Sequence, residues 1–452
     1  MHASLRSAAE SVKSSLWLPP LTALALAAGG SFGTLYLDHY VFEDLLGSMT
    51  LSDPDAARDV LSVIATTMLT LTVLVFSITM VVLQLASAQY SPRVTQSFLR
   101  DRQTKFSLAV FLGTFAYSLV LLRAVRSENG GFVPQISLTT TYFLVALSLI
   151  LFVLYLNHIA QSIRVSQIIR RLALDARKVI EALGEPKSAS FTGDAVAMAG
   201  RLQPARTICW DRDGRILTYV HEASLAATAE RHSVVIRVVP LVGDFVPRGS
   251  ALAEILGDAQ AVDDREIRVA FDLRIDRTSQ QDLALGFRHL VDIAIRALSP
   301  GTNDPTTAVQ ALDHIHDLLR AVVHHPLDAR VACDRHGTVR VIVPRVGWDA
   351  LLTLAMTEIR HCGKDSAQVM RRLLSALDDL LLMAPPGRRP SLEQQRQLVL
   401  QSIERAFDAA EDRQLARCPD PQGLGSRVSE SPLSAVAPPS SGTSAYRGPR
   451  AV

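Results

Sequence analysis

The side chains best placed for chemistry lie on one apolar stretch, Asp282–Leu298, where Arg288, Asp292 and Arg296 recur four residues apart along a single helical stripe. Around that stripe Leu283, Leu285, Phe287, Leu290, Val291, Ile293, Ile295 and Leu298 make the helix apolar almost all round, which predicts burial. Buried charges need partners, and an Arg–Asp–Arg ladder supplies part of that need. One positive charge is left over for a carboxylate elsewhere in the protein or for an anionic ligand. The stretch stops at Ser299-Pro300-Gly301-Thr302-Asn303-Asp304-Pro305, where Asp304 suits a helix N-cap and Pro305 a first helical position. Two readings of the segment stay open. It is a tight helix–loop–helix corner, or it is an anion or polar-ligand site in which Arg296, Asn303 and Asp304 join the free N–H groups of a helix start.

Other chemistry finds less support. His314 and His316 are two apart and diverge on a helix, and neither they nor His324-His325 come with a carboxylate at ligand spacing, so no metal is expected. Cys209, Cys333, Cys362 and Cys418 are far apart and form no CxxC pattern; in a cytosolic region they are reduced thiols. No P-loop, GxGxxG, GxSxG or HExxH occurs, no cofactor is expected, and no catalytic set is legible. The charges between Glu358 and Asp379 read as a solvated face.

A second group of polar residues lies in an apolar setting. The chain has 452 residues and a formal net charge of +2, which gives no argument for a nucleic-acid partner. Its mean hydropathy of +0.20 is high for a soluble protein, and the apolar residues concentrate in the first 160 positions. A bilayer core about 30 Å thick asks for about 20 apolar helical residues. Four segments qualify: Leu16–Leu37, Val60–Leu85, Phe106–Leu122 and Leu138–Leu156. The first carries Pro19, Pro20 and Gly29-Gly30 behind Arg6 and Lys13, as a cleaved leader would, but its length favours a retained helix. Arg93, Arg100, Arg102 and Lys105 in the second loop, with Arg164, Arg170, Arg171, Arg177 and Lys178 after the fourth span, outnumber Arg123 and Arg126 in the third. Basic loops stay inside, so both termini are expected in the cytoplasm and the acidic first loop outside.

The second span runs as a helical pattern from about Ala56 to Tyr90, roughly 50 Å at 1.5 Å per residue and longer than the membrane core. Ser62, Thr66, Thr70, Ser77 and Gln84 recur along it at intervals of four and seven, on one face. A polar stripe in lipid faces protein or water. It either packs against another helix or lines a path formed by several copies of this helix around an axis.

The region beyond the spans reads as α+β. A helical connector, His158–Leu183, leads through a looser stretch, 184–200, into a β-rich module. There Arg206–Trp210 and Arg215–Val220 flank an Asp-Gly turn at Asp213-Gly214 that predicts a hairpin. Ser233–Val239, Ala251–Ile255 and Glu266–Phe271 are further expected strands, and Gly243-Asp244-Phe245-Val246-Pro247-Arg248-Gly249 suggests a small barrel-like fold. Helices follow over Asp282–Leu298, Pro305–His324, Trp348–Met383 with a break near Gly363, and Ser391–Leu415, with a strand pair at Val331–Val343. The expected organisation is a four-helix transmembrane bundle at 1–160, a connector at 161–200, a barrel-like module at 201–275, a mainly helical module at 276–415 and a disordered tail at 416–452.

Two motifs carry a resemblance. Gln84-Leu85-Ala86-Ser87, Tyr90-Ser91-Pro92-Arg93, Phe98, Asp101 and Phe111-Leu112-Gly113-Thr114-Phe115 form the first. Ala297-Leu298-Ser299-Pro300-Gly301, Asn303-Asp304-Pro305 and Thr307-Ala308 form the second. Together they resemble a bacterial family of predicted membrane proteins, domain of unknown function 2254. The resemblance implies a bacterial inner-membrane location and the same four-span layout, and it carries over no catalytic residues. Three functions remain in order: a homo-oligomeric pore or transport-like protein, a membrane-anchored ligand-sensing or scaffolding protein, and an enzyme. The partners expected are the lipid bilayer and further copies of the chain.

Overall fold

The computed structural model of the chain describes residues 18–38, 54–89, 101–125, 133–162, 164–183, 203–257, 262–278, 281–327, 329–334 and 336–425. The motif residues Tyr90 to Phe98, the stretch 184–200 and the tail beyond 425 lie outside them. Four helices are long and apolar enough to cross a membrane: α1 (Leu18–Leu37), α2 (Pro54–Gln89), α3 (Arg102–Ala124) and α4 (Gln135–Ser162). Of the most apolar stretch of α3, 61% is buried, against 17% in α2 and 11% in α1 and α4, so α3 is the hub.

Small residues bring the hub close. The position a Cβ would take on Gly113 is 3.5 Å from Ala27 Cβ and 3.6 Å from the Ala23 carbonyl, so α1 and α3 touch along their backbones. Buried and half-buried hydroxyls then join the spans: Thr34 to Tyr117 at 2.7 Å, Thr114 to Ser148 at 3.2 Å, and Thr79 to Tyr155 at 2.9 Å. Two carboxylates fasten opposite ends of the bundle. Asp38, at the end of α1, accepts from the Ile136 and Ser137 N–H groups at 2.8 and 3.0 Å and from the Ser137 hydroxyl at 2.5 Å, satisfying donors of the α4 start. Asp101 caps α3 through Thr104 and lies 2.9 Å from His158 of α4.

Helix α5 (Val165–Glu181) follows α4 across Arg164, which is extended at φ −66° and ψ 122°, so the connector is a separate helix. Beyond it come β1 (Arg206–Cys209), β2 (Arg215–Val220), α6 (Glu222–Arg231), β3 (Val235–Val238), β4 (Phe245–Val246), β5 (Ala251–Leu256), α7 (Asp264–Val269) and β6 (Phe271–Arg274). The second half holds α8 (Leu283–Ala297), α9 (Pro305–Val322), β7 (Arg330–Cys333), β8 (Val339–Val343), α10 (Trp348–Cys362), α11 (Ala367–Met383), α12 (Arg389–Ala406) and α13 (Ala410–Ala416).

The strands do not close into a barrel. They form a five-stranded sheet in the order β1-β5-β3-β8-β7 and a three-stranded sheet in the order β4-β2-β6, which share one core containing Ile208, Leu217, Ile236, Val246 and Leu252. The hairpin expected across Asp213-Gly214 is absent, because β1 pairs with β5 and β2 with β4 and β6. That turn carries the chain from one sheet to the other. Of the expected strand Glu266–Phe271, the residues up to Val269 belong to helix α7 and Phe271 begins β6: Asp263 accepts from the Arg265 N–H at 3.0 Å, and the acidic first turn favours the helix start. The β7–β8 pair joins the five-stranded sheet through parallel pairing of β8 with β3.

The helices α5 and α8–α13 share a second core. The buried stripe of α5, with Ile169, Ala173, Ala176 and Ile180, packs on α8 and α9, and at Gly286 a Cβ would stand 2.6 Å from Ala176 Cβ. Residues 418–425 lie against α11, where the buried Arg371 donates to the Cys418 and Gly425 carbonyls at 2.9 and 2.7 Å. The rest of the tail, 426–452, is outside the described residues.

Candidate functional site

Helix α2 has two faces, each with a seven-residue spacing. Leu61, Met68, Val75 and Val82 are buried, from 0% to 5% exposed, and form its seam with the rest of the bundle. Thr70, Ser77 and Gln84 repeat at the same interval, displaced by two residues, which places them about 200° round the helix from that seam. All five stripe residues, Ser62, Thr66, Thr70, Ser77 and Gln84, are exposed. The stripe therefore does not pack against the described helices of the same chain.

The hydroxyls of this face are partly satisfied locally. Thr66 donates to the Ser62 carbonyl and Thr70 to the Thr66 carbonyl, both at 2.9 Å, and Thr67 donates to Val63 at 2.7 Å. Each hydroxyl spends its proton on the preceding turn and presents oxygen lone pairs outward. Among the described residues the Ser77 hydroxyl and the Gln84 amide have no hydrogen-bond partner. An amide in hydrocarbon without a partner costs several kcal/mol, on the order of 4–8 on alkane transfer scales.

The charged stripe of α8 meets a different fate. Arg288 donates to Asp292 at 2.5 Å and forms a two-pronged pair with Glu358 of α10, one prong at 2.9 Å between Nη2 and Oε2. The guanidinium holds the Glu358 carboxyl below the usual range, chiefly through these hydrogen bonds. The surplus cation read from the sequence thus has a carboxylate within the protein, supplied by Glu358, whose side chain is 46% exposed. Arg296 is exposed near the end of α8, and its carbonyl accepts from the Ser299 hydroxyl at 2.7 Å.

The corner after Arg296 spends its backbone groups on itself. Asn303 N–H donates to the Ser299 carbonyl at 2.9 Å and Asp304 N–H to the Ala297 carbonyl at 2.8 Å. Asn303 sits at φ 45°, a left-handed conformation that asparagine tolerates better than most residues. The Asp304 carboxylate accepts from the Thr307 N–H at 3.0 Å and its hydroxyl at 2.6 Å, while Pro305 has no N–H to offer. The geometry is that of a self-contained capped corner.

Sequence reading missed a charged cluster between α9 and α11. Arg372 donates to Asp313 at 2.6 Å and to Nδ1 of His316 at 3.0 Å. A guanidinium has only donors, so Nδ1 is the acceptor and the proton rests on Nε2, which donates to Asp379 at 2.7 Å. Burial, then the neighbouring Arg372 and Arg320, push the His316 pKa down against the pull of Asp379. Arg320 also binds Asp379, at 2.6 Å. The α9 residues recur three and four apart, but their partners lie 56–63 positions away and leave no local signal.

Comparison with known proteins agrees with the membrane character of the four apolar helices. A family model described as "Predicted membrane protein (DUF2254)" matches residues 13–379. Uncharacterised proteins of Mycobacterium bovis and Mycobacterium tuberculosis are each 29% identical over 418 residues, covering 89% of this chain and 78% of the relative. No solved structure matches the chain. Four membrane-length helices, a following helix-and-sheet region and a family match over most of the length lead to one assignment: the chain belongs to the DUF2254 family of predicted membrane proteins.

Proposed function

We propose that the protein is a homo-oligomeric, pore-type or transport-like protein of the bacterial inner membrane. In this reading both termini are cytoplasmic, the α2 helices of several copies surround a common axis, and the region beyond the spans regulates the assembly. One observation carries it: the polar stripe of α2 lies opposite the seam that packs on the same chain. A second copy of the stripe, with water between, would satisfy Ser77 and Gln84. The stripe holds no ionisable residue, so it suits a passive path rather than a proton relay. Because Thr66 and Thr70 donate to their own helix, these two turn oxygen lone pairs outward, which favours cations at that level, while Ser62, Ser77 and Gln84 can present either donors or acceptors.

The test is the mass of the full-length protein in lipid nanodiscs, with rubidium and chloride flux into liposomes. The expected result is a defined oligomer that passes rubidium, with loss of flux in Thr70→Leu/Ser77→Leu. A monomer, or an oligomer without flux of either ion, contradicts the reading. A second reading, a membrane-anchored ligand-sensing protein, draws on a cleft beside α5 rather than on the corner after Arg296.

A further inference from the structure

At the end of α5 farthest from α4, a cleft of about 250 Å3 opens between the connector, the β-rich region and the start of α8. Leu183, Leu241 and Val346 contribute apolar wall. Its charge is unbalanced. Glu222 pairs with Arg330, with Nε 2.9 Å from the carboxylate. Arg345 lines the same cleft and is half-buried near that pair, yet it forms no hydrogen bond or ion pair among the described residues. Two guanidinium groups thus share one carboxylate. Burial, then the charge of Arg330, lowers the Arg345 pKa, but an arginine stays charged regardless.

The opposite wall does not supply the missing negative charge. Asp282 caps α8 by accepting from the Leu285 N–H at 2.9 Å, and it is 3% exposed. Among the described residues its Oδ2 has no hydrogen-bond partner, and it is packed against Gly243, where a Cβ would stand 2.5 Å away. Burial raises its pKa toward the neutral acid, and it also raises that of Glu222. What remains is a concave, mainly apolar site with one uncompensated, preorganised planar cation, a combination that matches a monoanion with an apolar body.

We propose that this cleft binds a small organic carboxylate, its carboxylate on Arg345 and its apolar body against Leu183, Leu241 and Val346. A phosphate fits less well, because a second negative charge would meet Glu222 without a further free cation among the described lining residues. The occupant would bridge the end of α5 to the β-rich region, and α5 follows directly on the fourth span. The inference deepens the second reading above and is independent of how the spans assemble, so either can fail without the other.

The test uses the full-length protein in nanodiscs, with thermal unfolding at constant ionic strength in 10 mM hexanoate, phenylacetate, acetate, hexylamine or inorganic phosphate. Hexanoate or phenylacetate should raise the melting temperature by about 2–4 °C, as expected when ligand is well above its Kd, and the other three by less than half of that. Arg345→Gln should abolish the shift while moving the unliganded melting temperature by less than about 2 °C, since Arg345 makes no direct hydrogen bond or salt bridge among the described residues and Glu222 keeps its pair with Arg330. Leu241→Glu, which brings a competing carboxylate to the cleft, should abolish it as well and guards against a folding defect in the first variant. No shift with either apolar carboxylate, an equal shift in Arg345→Gln, or a matching shift with hexylamine or phosphate would overturn the proposal.

Discussion

Helices α2 and α3 are both apolar spans rich in hydroxyl residues, and the chain uses them in opposite ways. In α3, Ser107, Thr114 and Ser118 are buried, and Thr114 reaches Ser148 of α4. In α2 the hydroxyls of the stripe point out of the bundle, and those with partners bond to the preceding turn of their own helix. A hydroxyl in a span therefore does not by itself identify a packing face. What separates the two helices is the position of the polar residues relative to the buried seam. The helices beyond the membrane resemble α3, because Arg288, Glu358, His316 and Asp379 all find partners within the chain. Those polar groups are thus closed on themselves, whereas the stripe of α2 is left open.

The largest effect is expected where α3 is tightest. Gly113→Leu should push α1 from α3 and cost about 1–3 kcal/mol, the usual range for overpacking, seen as a lower melting temperature in nanodiscs. Ser77→Leu, in the open stripe, should leave melting within about 0.5 kcal/mol while lowering the assembled mass. Equal destabilisation by the two would erase the distinction between the helices. Next comes the closed ion pair: Arg288→Ala leaves Asp292 and Glu358 facing each other, and should cost about 1–2 kcal/mol after allowing for partial solvent screening. Thr66→Val/Thr70→Val is expected to change stability by less than about 0.5 kcal/mol, since the lost bonds are local, but to reduce rubidium flux.

The smallest effect concerns pH. The His316 pKa is lowered in the fold, so between its folded value and its ordinary value the unfolded chain binds more protons. Stability should therefore fall as pH is lowered through that window, and His316→Gln should flatten this part of the profile. A melting temperature that climbs as pH falls from 7 to 5 would contradict the assignment of a neutral His316 held between Arg372 and Asp379.

The membrane half was legible because a bilayer imposes a length and a composition that few soluble helices meet. The corner was legible too: Asp304 and Pro305 form the cap and first turn that their types suggest. Two local signals misled. The Asp213-Gly214 pair marks a turn, but which strands it joins is decided by the two sheets that share the β-rich core. The alternation of Ile267, Val269 and Phe271 reads as strand, yet Asp263 and the acids after it begin a short helix. Glu358, 70 residues from Arg288, and the cleft around Arg345, built from well-separated segments, exist only after folding. The stripe of α2 was visible in the sequence, but its orientation depends on where Leu61, Met68, Val75 and Val82 find their partners.

The most direct test of the open face of α2 is pairwise cross-linking in native membranes. With Cys209, Cys333, Cys362 and Cys418 replaced by serine, single cysteines would be placed at Ser77 on the stripe and at Val153, which is 65% exposed on α4. Oxidation should join copies of the chain through Ser77→Cys and not through Val153→Cys. Cross-linking at neither position, or at Val153→Cys alone, would contradict an assembly built on α2.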